Sequence, residues 1–257
     1  MTQSGLPLAG RIALVTGSSR GIGAAIARRL AADGAKVVLH ARSDPSLAEA
    51  VAAEIRAKSG TADVVLGDLG AGDTALQVVK DAFAVHGALD ILVCNAGAPH
   101  SGPIIEATAE TVDAVLGLNL RSVILAVSEF ARLTQSAHGR VVLISSASAS
   151  QPAVMGAIYS GAKAAAAGFI RSVAQELGAR GITCNSVEPG LTLSKEAPAF
   201  VTETVPRYTA MARAGQPEDI ADIVAFLASD DSRWLTGHTI PATGGAIASA
   251  STILAYA

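Results

Sequence analysis

Tyr159 and Lys163, in the run Tyr159-Ser160-Gly161-Ala162-Lys163, are residues of this 257-residue chain whose types and spacing could do acid–base chemistry. Four apart in a helix, their side chains share a face, which sets an ammonium beside a phenol. A free tyrosine, with a pKa near ~10, is a poor acid or base at neutral pH. An adjacent cation favours the phenolate and moves the group toward the range that general acid–base catalysis requires. Spacing alone makes neighbours rather than a mechanism, because ordinary helices also carry Tyr and Lys four apart. The pair gains meaning from what precedes it.

Far upstream lies Thr16-Gly17-Ser18-Ser19-Arg20-Gly21-Ile22-Gly23, directly after an apolar run and opening into Ala24–Ala32. Three glycines at a strand-to-helix turn permit a tight turn, close approach of a pyrophosphate and close helix–strand packing. The following helix offers free N–H groups and a favourable dipole to the anion. The spacing is G-x-x-x-G-x-G, a variant of the more familiar G-x-G-x-x-G, and its position after the first strand is what makes dinucleotide binding the better reading. The second strand ends His40-Ala41-Arg42-Ser43, with no carboxylate before Asp44. An NAD-selective site places an acid there for the ribose 2′-hydroxyl. Arg42 and Arg20 are instead suited to a 2′-phosphate, so NADP(H) is preferred and NAD(H) is the other candidate.

The elements that must position these groups are short apolar runs alternating with Ala-rich helical stretches. The runs are Ile12–Val15, Lys36–His40, Asp63–Leu66, Ile91–Cys94, Arg140–Ile144 and Thr183–Val187, with Thr239-Ile240-Pro241 as a last edge strand. Their near-continuous apolar character fits strands covered on both faces. Helices are expected at about 22–33, 45–58, 73–86, 108–136, 157–179 and 217–229. This order implies one α/β domain spanning 1–257, a Rossmann-type doubly wound parallel sheet with helices on both faces. The segment 191–214, with Pro198 and Pro206, breaks the rhythm and is expected to be a substrate lid, since ligands bind at the carboxyl ends of the strands.

Composition narrows the classes. Half the residues are apolar and 16% charged, which suits a compact α/β protein. A formal charge of −3 gives no pull toward nucleic acid or anionic membrane. No apolar run approaches a membrane span of roughly 18 residues, and the leader Met1–Gly10 lacks the charged and apolar regions of a secretory signal. Cys94 and Cys184, in apolar contexts, read as buried free thiols, and a cytoplasmic location is expected.

Taken together these motifs resemble the short-chain dehydrogenase/reductase family over nearly the whole chain, with the 3-oxoacyl-[acyl-carrier-protein] reductases as one neighbourhood within it. T-G-x-x-x-G-x-G is Thr16–Gly23, Asn95-Ala96-Gly97 follows the fourth strand, and Asn119 stands in Gly117-Leu118-Asn119-Leu120. Ser146 precedes Tyr159 by thirteen residues, and Pro189-Gly190 follows the sixth strand. The resemblance implies that Tyr159 exchanges a proton with a substrate oxygen that Ser146 also hydrogen-bonds. It implies that Lys163 lowers the tyrosine pKa and binds the nicotinamide ribose, and that Asn119 anchors a water leading to solvent. Cofactor contacts then fall on Gly17, Ser19, Arg20, Gly21, Ile22 and Gly23, on Ala41, Arg42 and Ser43, on Asp68 and Leu69 toward the adenine, on Asn95, Ala96 and Gly97, on Tyr159 and Lys163, and on Pro189, Gly190 and Thr192. Ser145 is an adjacent hydroxyl, but strand alternation turns it to the other face.

The chain departs from the family pattern at Cys94, where a second Asn is common, at Glu188 and Ser194, and in Ala242-Thr243-Gly244-Gly245, which replaces Val-Asp-Gly-Gly. His100 reads as an exposed loop histidine rather than a substrate contact, and Trp234 as a packing or interface anchor. The expected activity is interconversion of a carbonyl and a secondary alcohol on a small molecule. The alternative is a non-catalytic dinucleotide-binding or sensing protein on the same fold, against which stands the intact set Asn119, Ser146, Tyr159 and Lys163. The resemblance also implies a homotetramer or homodimer packed through the long Ala-rich helices, with the apolar tail Ala246–Ala257 at an interface.

Overall fold

A computed structural model of the chain describes residues 5–152, 154–193 and 203–246. Seven strands, β1 (Ile12–Val15), β2 (Lys36–Ala41), β3 (Thr61–Leu66), β4 (Ile91–Cys94), β5 (Arg140–Ile144), β6 (Thr183–Pro189) and β7 (Thr239–Ala242), form one parallel sheet in the order β3-β2-β1-β4-β5-β6-β7. From β1 the chain builds outward to β3, then returns to β4 and builds the other way. The strand order therefore reverses between β1 and β4, which opens a crevice at their carboxyl ends.

Burial on both faces explains the unbroken apolar runs. Every residue of β1, β4 and β5 is buried. Alternation divides each strand between two cores: Ala13 and Val15 meet α1 (Gly21–Ala32), α2 (Ser46–Ala57) and α8 (Pro217–Ala228), while Leu14 faces α3 (Thr74–His86), α5 (Ser122–Leu133) and α7 (Ala157–Leu177). The helices present aliphatic stripes to these cores, such as Ile26 and Leu30 of α1 and Phe130 of α5, all fully buried. Truncating Phe130 to alanine would cost about 3–5 kcal/mol. Pro241 is tolerated because β7 pairs only with β6 and occupies the sheet edge.

One helix expectation is corrected. The helix expected over 108–136 is two helices, α4 (Ala109–Leu116), capped by Thr108 Oγ1, and α5, separated by a π turn over Gly117–Arg121. The extra residue of a π turn redirects side chains locally, and such turns concentrate at functional sites. Asn119 sits at its centre. By length and composition the run Ala109–Leu133 passes for a membrane span, but it is 44% buried and packs through α5 on α3. A short helix, α6 (Ala147–Ser150), also intervenes before α7.

The two ends of the segment expected to be a lid meet in a bridge between Thr192 and Gly215, with Leu193 N–H donating to Gly215 O (2.9 Å) and Gly215 N–H to Leu191 O (2.9 Å). Val205 and Ala214 pack there against Leu191 and Leu193. Residues 194–202, with Ser194 and Pro198, and the tail from 247 onward lie outside the described residues. Trp234 is 97% exposed, so a packing role is excluded.

Candidate active site

The glycine turn between β1 and α1 is fixed by side chains from neighbouring strands. Thr16 Oγ1 accepts from the backbone N–H groups of Asn95 (2.9 Å) and Ala96 (3.0 Å), and Asn95 Nδ2 donates back to the carbonyls of Thr16 (2.9 Å) and Gly17 (3.0 Å). Gly17 has φ +62° and lies against Ala96, whose Cα a Cβ at 17 would approach to 2.9 Å. A Cβ at Gly23 would overlap the Gly17 carbonyl and come within 2.5 Å of Asn95 Nδ2. Both positions thus demand glycine. At Gly21 (φ +55°) nothing lies within 4 Å of a Cβ position, so that surface is open. The first turn of α1 has no side-chain cap and no acidic residue, leaving its N–H groups to an anion. This open, uncapped glycine cradle fits a dinucleotide pyrophosphate.

Across β4 and β5, four of the expected residues converge. Lys163, on α7 and only 3% exposed, donates from Nζ to Ile144 O at 3.0 Å, and Nζ stands 5.9 Å from the Tyr159 ring centroid. Ser146, the N-cap of α6, accepts from Ser148 N–H (3.2 Å), which leaves its own proton free to donate to the Tyr159 oxygen. Ser145 instead is buried and donates to Lys163 O (3.3 Å), as strand alternation requires. Asn119 Nδ2 donates to Val115 O (3.0 Å) and Ala98 O (3.1 Å), while Oδ1 accepts from Ala98 N–H (3.3 Å). A Cβ at Gly97 would fall 2.8 Å from Asn119 Oδ1 and 3.1 Å from Lys163 Nζ. Glycine at 97 therefore lets the backbone pass close to both the amide and the ammonium.

Electrostatically, burial dominates this cluster. It pushes Lys163 down to about 8, and it raises the Tyr159 phenol, a shift that the hydrogen bond from Ser146 opposes. Both groups are moved toward their neutral forms, the tyrosine opposite to the direction that mere adjacency of a cation suggests. The paired donors Ser146 and Tyr159 suit one oxygen atom of a substrate, and Lys163 sits within reach of a proton path.

Comparison with known proteins agrees with this geometry. The family model described as enoyl-(acyl carrier protein) reductase matches residues 17–246. A 3-oxoacyl-[acyl-carrier-protein] reductase of Synechocystis is 36% identical, over 93% of this chain and 98% of its own. The chain is a short-chain dehydrogenase/reductase. A versicolorin reductase of Emericella nidulans is 37% identical to it over 93% of this chain and 96% of its own. The crystal structure of a Burkholderia cenocepacia short-chain dehydrogenase in complex with NADP superposes with a TM-score of 0.87 at 37% identity, covering 93% and 98% of the two chains. This short-chain dehydrogenase/reductase is an NAD(P)-dependent oxidoreductase of the carbonyl–alcohol class.

The remaining expected residues are placed as follows. Arg20 and Arg42 are exposed and, among the described residues, form no ion pair; Ser43 is exposed and Ser19 and Ile22 half-buried at the turn. Asp44 accepts from the N–H and hydroxyl of Ser46, so its carboxylate is turned to the start of α2 rather than to the crevice. Ala41 and Leu69 are core side chains and can offer only backbone, whereas Asp68 is exposed. Asn95 Nδ2 is engaged with the glycine turn, so its amide braces the site. Pro189 is buried, and Gly190 abuts Thr243, whose Cα a Cβ at 190 would meet at 2.9 Å. Thr192 bonds Gly190 O (3.3 Å). His100 is half-buried. Glu188, buried, accepts from Ser150 Oγ at 2.7 Å and so holds the far end of α6. Both cysteines are free and buried. Sequence reasoning missed the bracing roles of Thr16 and His40; a polar residue amid an apolar strand end was the available signal.

Proposed function

We propose that the enzyme prefers NADP(H) and interconverts a carbonyl and a secondary alcohol on an apolar small molecule, with Tyr159 as the proton donor and acceptor. The observation that carries this reading is the grouping of Ser146, Tyr159, Lys163 and Asn119 beside an open, uncapped glycine turn. Hydride is the chemistry that a nicotinamide dinucleotide supplies when bound. Gly17, Ser19, Gly21, Ile22 and Gly23 would hold its pyrophosphate, with Arg20, Ala41, Arg42 and Ser43 toward a 2′-phosphate and Asp68, Leu69, Ala96 and Gly97 along the adenosine. Pro189, Gly190 and Thr192 would border the nicotinamide end.

Ser146 donates to the substrate oxygen and fixes its position, and Tyr159 Oη delivers the proton as negative charge develops there. Lys163, charged below about pH 8, then stabilises the phenolate left behind. A water donating to the Asn119 side-chain oxygen or backbone carbonyl would return the proton from solvent. The NADP complex of the Burkholderia relative and the unpaired Arg20 and Arg42 support the cofactor preference. We take the chain as one domain with segment 191–214 as the substrate lid. The exposed Trp234 fits a homo-oligomeric interface, and two buried, unbridged thiols suit a reducing cytoplasm.

A panel of ketones and alcohols followed at the nicotinamide absorbance, with NADPH and NADH in parallel, tests the reading. Tyr159→Phe should lower turnover by at least about a thousandfold, within the range that a positioned proton donor contributes, with cofactor affinity nearly unchanged. A fully active variant would remove Tyr159 from the mechanism.

A further inference from the structure

His40 lies in β2, one residue before its end, and is 3% exposed, yet every polar atom of its side chain is engaged. Its Nδ1 accepts from the backbone N–H of Gly17 at 3.0 Å, and its Nε2 lies 2.9 Å from the carbonyl oxygen of Gly67. An accepting Nδ1 settles the tautomer: Nε2 carries the proton and donates to Gly67. The backbone continues the same connection. His40 N–H donates to Ser18 Oγ (3.0 Å), Ser18 N–H donates to His40 O (3.0 Å), and Ser18 Oγ donates to Val15 O (2.8 Å). One residue therefore joins the glycine turn after β1 to the segment after β3, which leads through Gly67 into Asp68. The proton path through Tyr159 and Lys163 makes no use of it.

We propose that His40 is a positioning residue of the dinucleotide site, whose neutral imidazole clasps the glycine turn to the adenine-side segment, so that protonation opens the clasp and weakens cofactor binding in acid. The inference rests on the placement of the dinucleotide along the glycine turn. An imidazolium has two donors and no acceptor. Its Nδ1–H would face the Gly17 N–H, two buried donors opposed, and Gly17 cannot retreat because Ala96 stands against it.

The surroundings favour the neutral ring. Burial holds His40 below its ordinary pKa of 6.5, against the pull of the Gly67 carbonyl and the Asp68 carboxylate. Asp68 is the charged group that acts on it. β1 and the turn contribute Val15, Thr16 and Ser18, none titratable, and β3 sets Val65 beside it. Asp63, also on β3, faces His86 at 3.1 Å instead. As pH falls, an unfolded chain takes up this proton before the folded one does. The clasp is thus complete above about pH 6.5 and is lost only as pH falls through the lowered value of the folded protein.

Two amide replacements separate the two bonds. His40→Asn places a side-chain oxygen where Nδ1 sits and cannot titrate, so it keeps the acceptor for Gly17. His40→Gln reaches the Gly67 carbonyl but leaves the Gly17 N–H unpaired. Dissociation constants for NADH and NADPH are measured by calorimetry in a series from pH 8 down to the acid limit of the folded protein, with hydrogen-exchange protection of the Gly17 amide in the cofactor-free protein. NADH is the deciding ligand, because a phosphate monoester itself titrates near ~6.

From pH 8 to 6.5 the unsubstituted protein should hold its NADH affinity and Gly17 protection steady, and both should fall below that as His40 takes up its proton, by up to about tenfold, the scale of one lost hydrogen bond. The His40→Asn protein should lose less than about twofold in both, and at pH 8 His40→Gln should bind about tenfold more weakly than His40→Asn. Equal acid loss in the unsubstituted and Asn proteins, equal affinities of the Asn and Gln proteins, or Gly17 protection independent of pH would each overturn the proposal. Failure of the unsubstituted protein to bind either dinucleotide at any pH would overturn the cofactor assignment and this clasp with it. That result is distinguishable from a lost pH contrast.

Discussion

Around the glycine turn, Thr16, Ser18, His40 and Asn95 bond four chain segments to one another, with N···O and N···N distances of 2.9–3.0 Å at most contacts. The segments after β4, before α7 and between β6 and α8 are built differently. There Gly102 N–H donates to Met155 O (2.7 Å), and two non-glycine residues, Met155 (φ 62°) and Ala212 (φ 52°), hold left-handed backbone. Val154, Met155, Ile104, Ile105 and Met211 expose large apolar side chains on these segments. The contrast fits a division of labour. A turn that receives one ligand shape can be braced throughout, whereas segments that meet varied substrates keep low local stability and strained backbone.

Adding a methyl group on each side breaks this comparison most sharply. Gly23→Ala drives a Cβ into the Gly17 carbonyl and Asn95 Nδ2, neither of which can shift without opening the bonded network. We expect loss of measurable dinucleotide binding and destabilisation by about 2–4 kcal/mol, the scale of overpacking at a closed site. Gly102→Ala finds its nearest neighbour, His100 Nε2, at 3.6 Å, and should stay within about 0.5 kcal/mol of the parent. Comparable losses in chemical denaturation of the two variants would erase the distinction.

This unevenness also decided what could be read from the residues alone. The strands were legible because parallel strands buried on both faces need continuous apolar runs, and β1, β4 and β5 supply them. The glycine turn and the Tyr159–Lys163 spacing were legible because their chemistry restricts residue type. The π turn at Asn119 was not, since apolar residues from 108 onward keep a helical period straight through it. Nor was the bracing by His40 and Asn95, which depends on segments far apart in sequence meeting across the sheet. The direction of the Tyr159 shift was misjudged for a similar reason: neighbour spacing carries no measure of burial.

Lys163 stands at the seam between the two regions, and burial opposes its charge. With its pKa pushed from 10.5 to about 8, the folded chain binds this proton less tightly than the unfolded chain does. Stability attributable to Lys163 therefore rises with pH between about 8 and 10.5 and is lowest below 8. Lys163→Met removes the buried charge. It should raise Tm at pH 7 by about 5 °C, for a stabilisation of up to about 3 kcal/mol, while abolishing turnover. The gain should vanish by about pH 10. A gain that persists there would mean that the methionine stabilises by packing rather than by removing a charge, and a lower Tm at pH 7 would mean that the lost bond to Ile144 O outweighs desolvation.

A smaller effect is expected at the exposed rim of the braced region. Arg42→Ala should weaken NADPH about tenfold and NADH hardly at all, one charge-assisted contact to a phosphate at a solvated site. Equal losses for the two cofactors would refute the NADP(H) preference while leaving the glycine turn intact.

The smallest expected change sharpens the other side of the comparison. Met155 holds a left-handed conformation that a branched or long side chain adopts at a cost of about 1 kcal/mol, and its side chain is 52% exposed, so little packing compensates. Met155→Gly removes that strain but loosens the unfolded chain, and the two effects nearly offset, leaving a net gain of up to about 0.5 kcal/mol. The functional consequence should be larger than the thermodynamic one. Met155 lies between Ser146 and Tyr159 in the chain, so loss of its exposed apolar side chain should raise KM for bulky apolar ketones several-fold while the dissociation constant for NADPH stays fixed. If the substitution instead destabilised the fold by more than about 1 kcal/mol, Met155 would belong to a packed structure, and the contrast between the two sides would narrow.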